Sequence, residues 1–451
     1  MWGVLRVGGG LGDLVGHKRI FALGVAIFAV ASLVCGLADN IMMLIVARAV
    51  QGVGAALLVP TSLALISVHF SDEQRGKAIG TWSAFTAITA AIGPVLGGFL
   101  TEWLSWHWVF FINIPIALVV LWIIWRRLPN RQHQKAQQYL DIAGAVTITL
   151  FLFGLTFSLI ESNRLGFTHP LIAASLLVAV ISAVLFFIIE QRSPNPMVPL
   201  TLFLSTCFSG SNVLTFLLYG ALGAALFFVP FNLIQIQQYS PTAAGAAFLP
   251  MILLIFLLSR KAGTMVSRVG ARPLLMLGPA VAAIGFALFA IPFASDNYWF
   301  TLFPAFIVLG LGMAITVAPL TTAVMGAVDE SRMGIASGIN NAVSRAAALL
   351  AIAGLGVIAL RLFITDIDIA IADIPLTDMQ REALAMELVK YSAAQIPSSI
   401  IGDTRQIIVT IINSAFVHSY SVVMLVCASL ALLSSVVAYF TVTVSKPVAS
   451  K

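Results

Sequence analysis

Arg48 is the ionisable residue whose setting most needs a chemical explanation. It lies in the apolar segment 41–66, about eight residues, or roughly 12 Å along a helix, from the nearer end. If this segment crosses a membrane, an unpaired charge at that depth costs on the order of 3 kcal/mol or more. Two interpretations follow. Either Arg48 extends back to the membrane surface along its apolar stem, or it faces a polar cavity in which its charge has a use.

Other groups that could do chemistry are few and scattered. No Asp or Glu lies near the middle of an apolar segment, and the nearest ones lie at segment ends or in turns: Asp39, Glu102, Asp141, Glu161 and Glu190. The six histidines form no HExxH motif, GxSxG is absent, and no glycine-rich loop is spaced to cradle phosphate. The three cysteines lack CxxC spacing. The sequence therefore predicts no enzyme, no metal site and no cofactor.

The elements that hold these residues are long apolar helices. Of the 451 residues, 60% are apolar and only 9% are charged, far below the roughly 25% of a soluble domain. A spanning helix needs about 20 apolar residues, and within lipid it must satisfy its own backbone hydrogen bonds. The sequence predicts an all-α polytopic membrane protein with about twelve spans: 20–38, 41–66, 78–100, 108–126, 140–160, 171–189, 206–230, 243–259, 273–292, 300–325, 334–360 and 414–440.

Basic residues are distributed unequally between the two sides of these spans. The side of residue 1 carries 17 Lys and Arg residues and the other side carries five. Basic loops stay on the cytoplasmic side, so we expect a multi-pass plasma-membrane protein with both termini in the cytoplasm. The formal net charge of +6 is then a topology signal, and we expect no nucleic-acid partner.

The longest predicted outer loop covers 361–413. Within it, Thr377 and Gln380 have the spacing of a capping box, which predicts a short surface helix from there to about Tyr391.

A glycine-rich basic turn occurs twice in the chain. The first copy is 9–19 (GGLGDLVGHKR), and a weaker copy is 263–272 (GTMVSRVGAR). Glycine permits a tight turn between packed helices, basic residues anchor the inner face, and an aspartate can accept N–H groups at a helix N-terminus. The repetition predicts two related helical bundles.

Three motifs in order resemble those of the major facilitator superfamily. The glycine-rich turn is similar to the loop between the second and third helices of each half in that family. Residues 48–52 (RAVQG) resemble the RxxQG motif of its fourth helix. A third set resembles the antiporter motif of its fifth helix, with Thr89 where glycine is usual: Gly80, Gly93, Pro94, Gly97 and Gly98. Segments 106–115 and 334–341 are similar to the drug/proton antiporter branch of the family.

The resemblance implies a specific architecture. Eight predicted spans, rather than six, separate the two turns, as in the fourteen-helix drug/proton antiporter branch. This implies two pseudo-symmetric bundles, with four of six core helices in 1–126, two inserted helices in 127–200 and six helices in 201–451. Because only about eight residues precede the first turn, we expect that the first two family helices are missing from this sequence.

The resemblance also implies roles for individual residues. It implies that Arg48 acts in proton coupling and that the antiporter-motif helix closes the interface between the halves, although small-residue packing alone is the alternative. It further implies a cytoplasmic gate that includes Gly12, Asp13, Gly16, Lys18, Arg19, Arg268 and Arg272. An apolar substrate cavity is expected at Gln51, Phe216, Tyr219, Asn340 and Asn341. Each of these residues could instead take part in ordinary packing.

The predicted function is secondary transport. We expect a monomer in the lipid bilayer that exports small lipophilic or amphipathic compounds in exchange for protons by alternating access. One alternative is uptake or symport of a small polar solute, which the antiporter motif and the scarcity of polar cavity residues disfavour. The other alternative is a truncated fragment that is incompetent for transport.

Overall fold

All the regular secondary structure of the described residues is helical. A computed structural model describes residues 16–69, 92–127, 141–166, 168–193, 198–291, 298–329, 332–391 and 394–442, together with residues 85, 89 and 196. In these ranges, eleven helices are long and apolar enough to cross a bilayer. The predicted all-α polytopic fold is confirmed. The remaining predicted span, 78–100, is helical over its described residues 85, 89 and 92–100.

Residues 1–153, 178–199 and 240–246 belong to one compact unit. Two of its helices, Ile142–Leu165 and Pro170–Arg192, also contribute residues to the second unit. The described helices of this first unit are α1 (His17–Gly36), α2 (Ile41–His69), α3 (92–103), α4 (Trp108–Phe111), α5 (Asn113–Arg127), α6 (Ile142–Leu165), α7 (Pro170–Arg192) and α9 (Pro241–Ala246).

Helix α1 organises the packing of this unit. A Cβ on Gly54 of α2 would lie 2.6 Å from the backbone nitrogen of Phe28, so glycine is needed where α1 and α2 touch. One turn further along α1, the Ser32 hydroxyl donates to the Phe110 carbonyl at 2.9 Å and accepts from the Asn113 amide at 3.0 Å. These bonds join α1 to α4 and α5 through polar groups that lipid could not satisfy.

Residues 154–177, 200–239 and 247–451 belong to the second unit. Its remaining helices are α8 (Thr206–Phe231), which continues as a π-helical turn (Asn232–Ile236), α10 (Leu249–Val269), α11 (Ala271–Phe289), α12 (Tyr298–Gly326), α13 (Met333–Ala370), α14 (Asp378–Leu388) and α15 (Gly402–Thr441). Helix α8 packs against both α13 and α15, and α12 packs against both α10 and α11. Glycine again permits the closest approach, because a Cβ on Gly285 of α11 would lie 2.6 Å from the Leu309 nitrogen of α12.

Helices α13 and α15 are longer than the sequence predicts. Their apolar spans were expected at 334–360 and 414–440, but the helices run to Ala370 and start at Gly402. The connection between the two helices is therefore 371–401, and the predicted outer loop 361–413 includes the end of α13 and the start of α15. The reason is that Phe363, Ile367 and Ile371 recur at helical spacing and are buried, which continues α13 past the apolar span.

The connecting segment 371–401 is folded rather than extended. The predicted capping box is confirmed: the backbone N–H of Gln380 donates to Thr377 Oγ1 at 3.3 Å, and Gln380 Oε1 accepts from the backbone N–H of Thr377 at 3.0 Å. Helix α14 ends at Leu388, slightly before the expected Tyr391. The Tyr391 hydroxyl hydrogen-bonds with Ser419 of α15 at 2.9 Å, and burial raises the pKa of Tyr391 to about 12.

The second glycine-rich segment is not the turn that its sequence predicts. Residues 263–269 continue α10 as helix, and only Gly270 bends the chain before α11, with φ of +84°. Gly263 instead lies in the helix opposite Ala318, at 3.5 Å from where its Cβ would be. A φ in the left-handed region is accessible to glycine at little cost, so the turn needs this one residue.

Candidate functional site

Arg48 has a partner within its own helix. Its Nη1 donates to Gln51 Oε1 at 2.6 Å, and its guanidinium lies 5.8 Å from the centroid of the Phe110 ring. Gln51 is only 2% exposed, and its Oε1 also lies 3.9 Å from Cys35 Sγ of α1. The predicted cavity residue Gln51 therefore holds Arg48, in an arrangement that leaves the arginine side chain exposed. The hydrogen bond to Gln51 and the contact with the Phe110 ring thus fix the position of the Arg48 charge.

The antiporter-motif helix α3 touches the short helix α9. A Cβ on Gly98 would collide with the Pro241 carbonyl, and a Cβ on Gly245 would collide with the Pro94 carbonyl. Each helix thus has a glycine at the point where the backbone of the other helix is closest, and the small residues permit this close contact. Among the described residues, no atom lies within 4 Å of a Cβ placed on Gly93 or Gly97, so only Gly98 of these three motif glycines is at the contact. Gly80 lies outside the described residues.

Glu102 strengthens this contact, and the sequence did not single it out. Its Oε2 accepts the backbone N–H of Thr242 at 3.0 Å, across 140 residues of chain. Hydrogen bonds from Thr242 and Ser240 hold the pKa of Glu102 below its usual value. The outer-turn position of Glu102 was visible in the sequence, but its partner at the start of α9 was not.

The predicted gate residues belong to the two units and to the part of the chain outside the described residues. Gly12 and Asp13 lie outside the described residues, whereas Gly16 precedes α1 with φ of +103° and Lys18 and Arg19 lie in its first turn. Arg268 is exposed near the end of α10. Arg272 has a specific role within the second unit, because its Nη2 donates to the Tyr439 carbonyl at 2.6 Å and its guanidinium lies 4.8 Å from the Tyr439 ring. A cation at the last turn of α15 is favoured by the helix dipole.

The predicted cavity residues of the second unit fall into two groups. Phe216 is 44% exposed and Tyr219 is partly buried on α8. Asn340 instead crosses from α13 to α8, where its Nδ2 lies 2.6 Å from Thr215 Oγ1 and 3.2 Å from Asn212 Oδ1. Asn341 is exposed, and its amide donates to the Ser337 carbonyl of its own helix at 3.1 Å.

Asn212 and Thr215 are buried polar residues that the sequence analysis missed. Their spacing within an otherwise apolar span places them on one helical face, and this was the available signal. Arg345 was missed as well. It is a second arginine inside a predicted span, and its side chain is exposed on α13.

The described fold and these motifs define a polytopic helical membrane protein. The sequence profile of the Major Facilitator Superfamily matches residues 6–352, and the chain belongs to this family. The resemblance inferred from the three motifs is thereby confirmed.

Relatives of the chain include drug- and antibiotic-resistance proteins. It is 31% identical to the multidrug resistance protein Stp of Mycobacterium tuberculosis over 77% of this chain and 64% of that protein. It is 34% identical to the lincomycin resistance protein of Streptomyces lincolnensis over 75% of this chain and 69% of that protein. It is 28% identical to the tetracenomycin C resistance and export protein of Streptomyces glaucescens over 97% of this chain and 81% of that protein. The chain thus spans just under two thirds of the Stp protein.

Solved structures agree on the fold. A peptide transporter POT in complex with sulfate matches with a TM-score of 0.59 at 13% identity, covering 98% of this chain and 85% of that one. A bacterial homologue of the human lysosomal transporter Spinster matches with a TM-score of 0.57 at 15% identity, covering 98% and 89%. At these identities the similarity establishes the fold alone.

The α3 to α9 contact predicts different effects for two adjacent glycines. Gly98→Ala should destabilise the protein by about 1–3 kcal/mol, because its methyl group would meet the Pro241 carbonyl. Gly97→Ala is the matched control, since its Cβ would enter open space. When the purified variants are unfolded by heat, the midpoint of unfolding should be lower only for Gly98→Ala. Equal midpoints for the two variants would contradict the close contact.

The Asn340 bridge predicts a second matched pair. Asn340→Ala should lower the free energy of unfolding by about 0.6 kcal/mol, and by no more than about 1.7 kcal/mol, because hydrogen bonds between membrane helices contribute in this range. Asn341→Ala should leave stability nearly unchanged, because its amide bonds only to its own helix among the residues described. The measurement is the unfolding midpoint in the same detergent. A larger loss for Asn341→Ala than for Asn340→Ala would show that the bridge does not support α8 and α13.

Proposed function

We propose that this chain is a secondary transporter that exports small lipophilic or amphipathic compounds in exchange for protons. The observation that carries the proposal is similarity to resistance proteins over most of the chain, including a resistance and export protein over 97% of it. Alternating access would be supplied by movement of the bundles implied for 1–126 and 201–451, with 127–200 as inserted helices. Small-molecule substrates and protons are the expected partners, and a monomer is the expected state.

The Arg48 arrangement supports proton exchange. The guanidinium is held by an uncharged partner, Gln51, and stays exposed, so its charge is not neutralised by a carboxylate among the described residues. A cation in this position raises the free energy of a second positive charge nearby and lowers the free energy of ionising a nearby acid. Such a site can bias where a proton or a charged substrate resides.

Export should depend on Arg48. Cells that express the chain should accumulate less of a fluorescent lipophilic dye than cells without it, and a protonophore should remove the difference. Arg48→Ala should abolish the effect, and Arg48→Lys should keep part of it because the charge remains while the hydrogen-bond geometry changes. Dye accumulation, normalised to the protein level in the membrane, is the measurement.

The matched control is Arg164→Ala. Arg164 forms an exposed ion pair with Glu161 at 3.0 Å, and exposed pairs contribute little. Its removal should leave export unchanged. If Arg48→Ala exports as fully as the unmodified chain, the role of Arg48 in coupling is refuted. If the unmodified chain itself does not lower dye levels, the export function is refuted for this chain.

We further propose that both termini lie in the cytoplasm, which rests on the distribution of basic residues. The segment 371–401 would then lie outside the cell.

Cysteine labelling tests this orientation, because Ala385 of α14 is exposed and Ser267 near the end of α10 is exposed too. A membrane-impermeant maleimide should modify Ala385→Cys in intact cells and Ser267→Cys only after permeabilisation. The reverse pattern would overturn the orientation.

A further inference from the structure

Arg345 lies deep in the span of α13. It follows Met333 by twelve residues, which is about 18 Å along the helix axis. The hydrocarbon core of a bilayer is about 30 Å thick, so this position is close to the bilayer centre. Asp329 and Arg332, both exposed, precede α13 and mark its polar end. Arg345 is too far from that end for its side chain to reach the surface along its own stem.

The side chain of Arg345 is exposed on the unit that carries it. Among the described residues, none forms an ion pair or a hydrogen bond with it. Asn341, one turn earlier, is exposed on the same face, while Ala347 and Asn340 point toward other helices and are buried or bonded. An unpaired guanidinium facing lipid at this depth is energetically unfavourable. Water against this face of α13 removes that cost.

The intramembrane charges of this chain have one sign. Arg48 and Arg345 lie inside spans, whereas no carboxylate lies near the middle of any of the predicted spans. Arg48 donates one hydrogen bond to Gln51 and lies beside the Phe110 ring, whereas all five N–H donors of Arg345 are without a partner among the described residues. A guanidinium offers a planar set of N–H donors that match a carboxylate or sulfonate in two parallel hydrogen bonds.

We propose that the face of α13 with Asn341 and Arg345 lines a water-accessible substrate pathway, and that Arg345 binds the anionic group of amphipathic acids. This inference rests on the proposed function and narrows its substrate class. The donors of Arg345 meet the acid group, and the apolar residues around it accept the lipophilic body. The positive charge would disfavour lipophilic cations of similar size.

Water access is tested without any substrate. In a chain whose three native cysteines are replaced, Asn341→Cys in lipid nanodiscs should react with a small hydrophilic methanethiosulfonate reagent. Leu432→Cys is the control, because Leu432 is an exposed apolar residue of α15 that lies nine residues from the end of its helix. Asn341→Cys should react at least tenfold faster. Equal rates would overturn the water-accessible face, whether or not the chain transports anything.

Anion recognition is tested by direct binding. Pyrenebutyrate and its methyl ester share one apolar body and differ in the carboxylate, so their ratio of dissociation constants isolates the charge. The unmodified protein in nanodiscs should bind the acid about tenfold more tightly than the ester. Arg345→Gln should bring the ratio close to one, and Arg345→Lys should keep part of the preference.

The control for this binding test is Arg332→Gln, which removes a cation at the start of the same helix and should leave the ratio unchanged. A ratio that falls equally in Arg332→Gln would assign the preference to surface charge and overturn the proposal. A ratio unaffected by Arg345→Gln would overturn it as well. Because binding is measured at equilibrium, neither result depends on whether the chain exports dye.

Discussion

The constraint on which this structure depends is that hydrocarbon offers no hydrogen-bond partners, so each polar group in a span must find one within the protein or in admitted water. Most side-chain hydroxyls solve this locally. Thr316 bonds to the carbonyl of Gly312 and Thr149 to that of Ala145, each one turn earlier on its own helix. These bonds satisfy the group but connect nothing.

The polar groups that cross between helices are fewer and fix the packing of each unit. Asn113 reaches Ser32 in the first unit, and Asn340 reaches Thr215 and Asn212 in the second. Each such bond has a specific direction and register, whereas van der Waals contact between apolar helices permits sliding. Glycines such as Gly54 and Gly285 then decide how closely the backbones approach around those bonds.

The sequence predicted the features that depend on local composition. Apolar length located the spans, and the Thr377 capping box was confirmed because its two bonds close within four residues. Apolar length did not predict the ends of α13 and α15, because apolarity reports burial in lipid whereas a helix continues wherever its side chains pack. It also could not separate Gly98 from Gly97. Both glycines fit the motif, but the partner backbone at Pro241 comes from a segment remote in sequence, and no local pattern identifies which face it touches.

The two intramembrane arginines show how one residue type can have different consequences in one fold. Arg48 has a glutamine three residues later and an aromatic ring beside it, so its charge is held in place by groups that cannot themselves ionise. Arg345 has exposed Asn341 on its face, which bonds to its own helix instead. The donors of Arg48 are thus oriented before an anion arrives, whereas the side chain of Arg345, which has no partner among the described residues, would be ordered by the anion that it binds. A carboxylate beside either arginine would cancel that attraction, and the lack of acidic residues near the middle of the spans is therefore as informative about what the protein can bind as the arginines themselves.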